Sequence, residues 1–206
     1  MTKLLLSRDV SRETGARLAA FEAEFLKWAA RINLVASSTM KDVRQRHIAD
    51  SAQILDLAPN AKTIIDLGSG GGFPGLILAV LLAETPESHV HLVESNAKKC
   101  AFLRHIIRML SLSATVHNNR IEHVIGTIKR PDIITARALA PLPLLVQLAL
   151  PQLCQNVPAF FHKGRDHDQE IQAARGEFKF DLLVHPSRID SGSVILEMRN
   201  VALLAA

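Results

Sequence analysis

Residues 66–75 read DLGSGGGFPG, five glycines in ten positions, directly after the apolar run Thr63-Ile64-Ile65. Such a run has the length of a buried strand, and glycine at its end permits positive φ and close approach of backbone to a ligand. The stretch fits two registers. Gly70, Gly72 and Gly75 satisfy GxGxxG, the dinucleotide pattern. Gly68, Gly70 and Gly72 give GxGxG with an acid, Asp66, two residues ahead, the pattern used for S-adenosylmethionine. In both registers Glu94, at the end of the next apolar run, is placed to accept hydrogen bonds from a ribose diol. The ligands differ in what they ask of the helix that follows. A pyrophosphate wants a helix N-terminus rich in free N–H groups, and Pro74 removes one donor where that helix should begin. Adenosylmethionine has no phosphate; it carries a sulfonium, an ammonium and a carboxylate, beside which Asp66 is helpful. The balance favours adenosylmethionine.

Outward from this loop the chain splits into two textures. In the first sixty residues Leu18, Phe21, Phe25, Trp28 and Ile32 follow a 3-4-3-4 spacing and so share one helix face. Ser11 is the expected cap, with Glu13 in the first turn. Ser37–Thr39 breaks this helix, a second amphipathic segment runs from Met40 to Ala58, and PNAK closes an α-helical N-terminal extension over residues 1–60. From residue 61 to 206 short apolar strands alternate with helical patterns. Strands are predicted at 63–67, 90–94, 114–117, 133–136, 159–162, 178–184 and 193–199. Helices are predicted at 74–83, 96–110, 141–153 and 166–175, with a short turn near Ile121. The alternation implies a doubly wound, mostly parallel seven-stranded sheet. Only HPSRIDSG separates the last two strands, too little for a helical crossover, so they form an antiparallel edge hairpin.

The 206 residues, 48% apolar and 21% charged, belong to an ordinary globular chain rather than a membrane or disordered one. Neither a signal peptide nor a membrane span is evident, and a cytoplasmic location is expected. Cys100 and Cys154 are too far apart in sequence, and lack the spacing, for a zinc site; Cys154, on an apolar helical pattern, is expected in the core. His89 and His91 alternate on one strand face, read as edge histidines rather than a metal pair, and no metal is expected. The net charge of +4 is unevenly spread. Between Asn96 and Arg130 stand Lys98, Lys99, Arg104, Arg108, Arg120, Lys129 and Arg130 against Glu122 alone, and Lys41, Arg44, Arg46 and His47 form a second cluster. Such surpluses are the footprint of a polyanion site, although charge runs are more commonly solvated helix faces.

With these motifs in place, the chain resembles the RsmG family, also called glucose-inhibited division protein B, of bacterial small-subunit rRNA guanine methyltransferases. DLGSGGGFPG is similar to the family's D-x-G-x-G-x-G-x-P-G. NLVASS followed by RHIADS resembles its N-terminal signature, and VESNAKKCAFL, NNRIE, ARALAPL and HKG follow in the family's order. The resemblance spans nearly the whole chain and implies a Rossmann-like class I methyltransferase that transfers a methyl group from S-adenosylmethionine to N-7 of the guanine at position 527 of 16S rRNA. Carried over by motif, Gly68, Phe73, Ile121, Glu122 and Arg137 are implied to bind the cofactor, joining Asp66, Gly70, Gly72 and Glu94. Arg137, in Ala136-Arg137-Ala138 where the family has S-R-A, is the implied catalytic residue. His162 stands before KG where the family often has an apolar side chain.

The chemistry agrees with that resemblance. Exocyclic-amine methylation is usually served by a D/N-P-P-Y/F/W loop after the fourth strand, where this chain has ARALAP. Guanine N-7 has an in-plane lone pair and no proton to lose, so it needs alignment and tolerance of positive charge rather than a base. Arg137 could equally be a structural partner of Asp66 or Glu94. Lys98, Lys99, Arg104 and Lys163 are the candidate rRNA contacts, with a loop cluster neutralised by Asp166 and Asp168 the alternative for Lys163. The expected partner is 16S rRNA or the small ribosomal subunit, bound by a monomer. Two rivals remain: a nicotinamide-dependent oxidoreductase, resting on the GxGxxG register alone, and a non-catalytic RNA-binding factor on the same scaffold.

Overall fold

In the computed structural model, residues 10–34 and 43–204 are described. The expected break at Ser37–Thr39, the Lys41 side chain, and the Arg44 and Arg46 side chains lie outside what is described. Helix α1, Arg12–Ala29, starts at the cap Ser11, whose Oγ accepts from the Thr14 N–H at 2.9 Å. A π-helical stretch, Val43–Ala49, runs directly into α2, Asp50–Leu57.

The remainder alternates as the sequence pattern requires: β1 Thr63–Leu67, α3 Gly75–Leu81, β2 His89–Val93, α4 Ala97–Leu110, β3 Ala114–His117, α5 Ile121–Val124, β4 Ile133–Arg137, α6 Leu142–Leu153, β5 Ala159–Lys163 and α7 His167–Arg175, with β6 Phe178–Pro186 and β7 Val194–Leu203 closing the chain. The seven strands lie in the order β3-β2-β1-β4-β5-β7-β6. β1 to β5 are parallel, while β7 runs antiparallel between β5 and β6. The order reverses at β1, where one crossover leaves toward β2 and the chain returns on the other side at β4. That switch point opens a crevice beyond the carboxyl ends of the strands.

Both faces of the sheet are covered, so the central strands are mostly apolar and all five residues of β5 are buried. On one face α3 and α4 pack with α1, whose Phe21 and Phe25 are fully buried. On the other, the α5 and α6 side chains and Ile171 and Ala174 of α7 form a second cluster. Phe21 and Phe25 meet Phe73 of the glycine-rich loop edge to face, at centroid distances of 5.6 and 5.2 Å, and Trp28 meets Phe102 of α4 at 5.6 Å. His105 of α4 adds a polar link to Glu24 of α1 at 3.0 Å. The helical extension therefore shares its core with the sheet and seats the loop from below. No described helix is long and apolar enough to cross a membrane.

Cys154 departs from the sequence expectation. It caps α6 at its C-terminus and is exposed, because the helix ends at Leu153 and the chain turns outward there. Cys100 is buried.

Phe25→Ala should cost about 3–5 kcal/mol, the range for truncating a fully buried aromatic side chain. Urea denaturation checks this, and a loss below about 1 kcal/mol would mean that α1 is only loosely attached.

Candidate cofactor cleft and acceptor cavity

Asp66, the penultimate residue of β1, points inward and is fully buried. Its Oδ2 accepts from the Gly75 N–H at 3.2 Å and its Oδ1 from the Thr135 hydroxyl on β4 at 3.0 Å. Burial is the main force on its pKa, raising it to about 7; the hydrogen bonds of Ser69, Thr135 and Gly75 pull it down and Glu94 pushes it further up. Asp66 therefore lies behind the loop and does not line the cleft beyond it. Gly75 is packed so tightly against it that an added Cβ would stand 2.8 Å from the Asp66 Cβ.

Above Asp66 the loop turns on Gly68, Gly70 and Gly72, all at positive φ, of 67°, 49° and 89°. Gly75 is not in that region, so the conformational demand follows the GxGxG register. The start of α3 is already served. Pro74 has no N–H, Gly75 donates to Asp66, and Leu76 donates to the Gly72 carbonyl at 2.8 Å. A pyrophosphate would meet a carboxyl there instead of free donors.

Glu94 follows β2 and bridges the two loops at the crevice. Its Oε2 accepts from the Gly70 N–H at 2.9 Å and its Oε1 from the Asn96 N–H at 2.7 Å. Asn96 then caps α4, accepting from the Lys98 and Lys99 N–H groups. Beside Glu94 lies a cleft of about 440 Å³, whose walls include Gly68, Lys99, Ile121, Glu122 and Leu139. Of the residues expected to hold a cofactor, Gly68, Glu94, Ile121 and Glu122 line this cleft. Gly70 and Gly72 shape the loop. Phe73 is buried below it, stacked on His47 at 4.9 Å, so its contribution is to seat the loop and not to wall the cleft.

Arg137 lines a second cavity of about 420 Å³, which shares Ala138, Leu139 and Ala140 with the first. Ala138 holds φ at 51°, a left-handed conformation costing an L-residue roughly 1–2 kcal/mol. Strand β5 fixes the end of this strained connection. Lys163 Nζ donates to the Ala140 carbonyl at 2.6 Å and pairs with Glu170 Oε2 at 2.5 Å, and the same oxygen accepts from the Leu142 N–H at 2.6 Å. Lys163 is thus a buried wall residue of the second cavity, neutralised by Glu170 and not by Asp166 or Asp168. Being the last residue of β5, it turns inward toward the connection instead of outward to a phosphate.

The carboxylate beside Arg137 is neither Asp66 nor Glu94 but Asp50. Asp50, the first residue of α2, stands 3.6 Å from Arg137 Nη2, while its Oδ1 accepts from Gln53 and from Ser187, each at 2.9 Å. Burial lowers the Arg137 pKa from its ordinary value, and Asp50 and Asp190 act against this. His162, fully enclosed beside them, has its Nε2 3.2 Å from the Asp50 carbonyl; burial is the first cause holding its pKa below the usual histidine range. Asp50 and His162 were not assigned a role by sequence reasoning. The RHIADS motif contains Asp50, but nothing local shows that α2 carries it to the far ends of β4 and β5.

A third hollow, of about 390 Å³, separates the end of α1 from the start of α4. Arg31 and Asn33 face Lys98 and Lys99 across it, and Lys99 borders the cofactor cleft as well. Arg104 is exposed farther along α4. His89 is bonded to Ser113 and Thr115, and His91 to His117 at 3.0 Å. Among the described residues no group of three or more His, Cys, Asp or Glu is arranged to hold a metal ion.

The strand order, the antiparallel β7 and the cleft at the switch point define a Rossmann-like methyltransferase. Two solved structures share the fold. The S-adenosylhomocysteine-bound methyltransferase PaMTH1 of Podospora anserina gives a TM-score of 0.63 at 13% identity, covering 94% of this chain and 98% of that one. An O-methyltransferase of Bacillus cereus in complex with S-adenosylhomocysteine gives 0.60 at 15% identity, covering 97% and 94%. The family model described as rRNA small subunit methyltransferase G matches residues 15–192. Ribosomal RNA small subunit methyltransferase G of Rhizobium rhizogenes (strain K84) is 51% identical over 191 residues, covering 92% of this chain and 93% of the relative. The protein of the same description from Rhizobium meliloti (strain 1021) is 47% identical over 205 residues, covering 98% and 96%. The chain belongs to the rRNA small subunit methyltransferase G family, whose methyl donor is S-adenosylmethionine.

The burial of Asp66 makes a pH prediction. The unfolded chain ionises this group near 3.8 and the folded protein near 7. Between those values only the unfolded state sheds the proton, so the stability due to the neutral carboxyl is full below about pH 4, falls as pH rises, and is lost above 7. Asp66→Asn removes this slope. Relative to that variant, the wild type should lose on the order of 4 kcal/mol between pH 4 and 8 in urea titrations; parallel pH profiles would mean that Asp66 is ionised in the fold.

Proposed function

We propose that the protein methylates N-7 of a guanine in 16S rRNA, by family resemblance the guanine at position 527, with S-adenosylmethionine as donor. The observation that carries this reading is the pair of adjoining cavities, which meet along Ala138–Ala140. One offers a diol acceptor, Glu94; the other is a polar hollow with room for a purine. The Glu94 carboxylate would take the ribose hydroxyls, exchanging its bond to the Gly70 N–H or sharing it. Ile121 and Leu139 would present apolar surface to adenine, with Glu122 at its rim. When bound, the donor supplies an electrophilic methyl group on a sulfonium sulfur.

The residues of the second cavity then have one task, which is to aim N-7 along the methyl–sulfur axis. The nitrogen attacks through its own lone pair, so Arg137, His162 and Lys163 need neither accept nor deliver a proton. Arg137, held by Asp50, stays fixed at the end of β4 as the proposed contact with the base. RNA would approach over Lys98, Lys99 and Arg104, with Arg31 and Asn33 of the helical extension gripping backbone phosphate from the opposite side of the third hollow. The extension in this reading both seats the loop and holds RNA. We take the working form to be a monomer acting in the cytoplasm.

The test is transfer of labelled methyl from S-adenosylmethionine to small subunits, and separately to their naked RNA, both from cells lacking the gene. Chemical cleavage at N-7-methylguanine maps the product. One labelled guanine is expected; RNA binding with no transfer would instead favour the non-catalytic RNA-binding reading. Glu94→Ala should weaken S-adenosylmethionine binding at least tenfold, since two charged hydrogen bonds to the diol are lost. Calorimetry checks this, and a Tm that falls while affinity holds would make Glu94 structural only.

A further inference from the structure

We propose that Asp50 reads the Watson–Crick edge of the target guanine, its Oδ2 accepting from the base N–H groups inside the second cavity. The inference rests on the guanine reading above. Two carboxylates line that cavity, Asp50 and Glu170. Glu170 is committed, because its Oε2 binds both Lys163 and the Leu142 N–H within 2.6 Å. Asp50 is divided. Its Oδ1 carries the hydrogen bonds of Gln53 and Ser187, whereas its Oδ2 has Arg137 at 3.6 Å and His162 at 3.7 Å, both beyond hydrogen-bond length. The polar contacts on Oδ1 fix the carboxylate plane and leave Oδ2 with lone pairs to give.

Base chemistry selects the occupant. On guanine, N1–H and the N2 amine are donors on one edge, while N-7 and O6 are acceptors on the other. A carboxylate oxygen therefore suits the guanine Watson–Crick edge, and adenine, whose N1 is an acceptor, is rejected by leaving it unpaired. Grasped at N1–H and N2, guanine turns its N-7 side away from Asp50, toward the cofactor cleft across Ala138–Ala140. Arg137, beside Asp50, is a donor within reach of the same base.

The contact also strengthens as the reaction proceeds. The N-7 lone pair forms the new N–C bond while the C–S bond breaks and its electron pair stays on sulfur. The base gains the positive charge that sulfur loses, and N1–H becomes more acidic. A hydrogen bond from that N–H to a carboxylate is stronger in the transition state than in the ground state, which is the kind of interaction that raises rate.

Inosine tests the assignment, since it keeps N-7, O6 and N1–H but lacks the N2 amine. Small subunits are reconstituted with 16S rRNA carrying guanosine or inosine at the target position, and both kcat/KM and affinity in the presence of S-adenosylhomocysteine are measured. Wild type should favour guanosine roughly tenfold in both readouts, the value of one hydrogen bond to a charged group. Asp50→Asn should lower guanosine turnover and erase most of the discrimination, with S-adenosylmethionine affinity unchanged. If Asp50→Asn does not fold, as a loss of near-UV dichroism would reveal, Asp50→Glu serves; it keeps the charge but displaces the oxygen and should likewise narrow the ratio. Equal use of guanosine and inosine by wild type overturns the proposal, as does a variant that keeps the wild-type ratio. Failure of wild type to methylate the guanosine subunits overturns the functional reading instead.

Discussion

The carboxyl of Asp66 lies where three elements cross: it stands near the end of β1, receives the first N–H of α3 from Gly75 and is bonded to Thr135 of β4. Burying a carboxylate there would be costly, and retention of the proton near neutrality offsets that cost. With this position filled by the protein itself, the glycine loop is released from holding a phosphate. Its Gly70 N–H turns instead to Glu94, and through Glu94 to the start of α4 at Asn96. One buried acid thus occupies the position a phosphate would need, and a second, Glu94, faces the cleft as the proposed diol acceptor.

The helical extension completes what the sheet begins. Phe21 and Phe25 support Phe73 under the loop. The first residue of α2, Asp50, reaches Arg137 and His162 at the ends of β4 and β5, and Gln53 and Ser187 tie that contact to the β6–β7 connection. The second cavity therefore needs α2 as well as the strand ends, and its Asp50 is anchored by Ser187, 137 residues away in sequence. Packing and chemistry are joined here, since the aromatic cluster that binds α1 to the core also sets the height of the loop over the cleft.

Much of this was legible in the chain because parallel strands are short, apolar and regularly spaced. The seven predicted strands fall within three residues of the observed ones at their starts, and Glu94 and Ile121–Glu122 meet because β2 and β3 are neighbours whose carboxyl ends open on one side. What the sequence concealed is direction. Asp66 and Glu94 both sit at strand ends beside the loop, yet the pleat sends one inward and the other to the crevice. Lys163 belongs to a basic-looking loop in sequence, but as the last residue of β5 it is buried against Glu170. By spacing, Asp66 and Glu94 are the acids expected beside Arg137, whereas Asp50 comes to it from α2, a contact for which no local pattern exists. Phe73 looks like a cofactor contact by its motif position, and its ring belongs to the core because α1 supplies Phe21 and Phe25 to receive it.

The charges of the two cavities form a consistent arrangement for the proposed transfer. Each holds two carboxylates, Glu94 and Glu122 in the cofactor cleft, Asp50 and Glu170 in the second cavity. Methyl transfer to N-7 moves one positive charge from sulfur to base without changing the total. A site that lodges this charge on either side must have fixed negative groups at both, already oriented, so that no solvent needs to rearrange between the two states. In the second cavity Lys163 takes up Glu170, so the carboxylate oxygen left to meet the base in the proposed transfer is Asp50 Oδ2, 3.6 Å from Arg137. A general base would add nothing to such a reaction, since no proton leaves the nucleophile. What the fold has to supply for the proposed transfer is alignment across Ala138–Ala140, and the strained φ of Ala138, clamped through Ala140 and Leu142, lies at that junction.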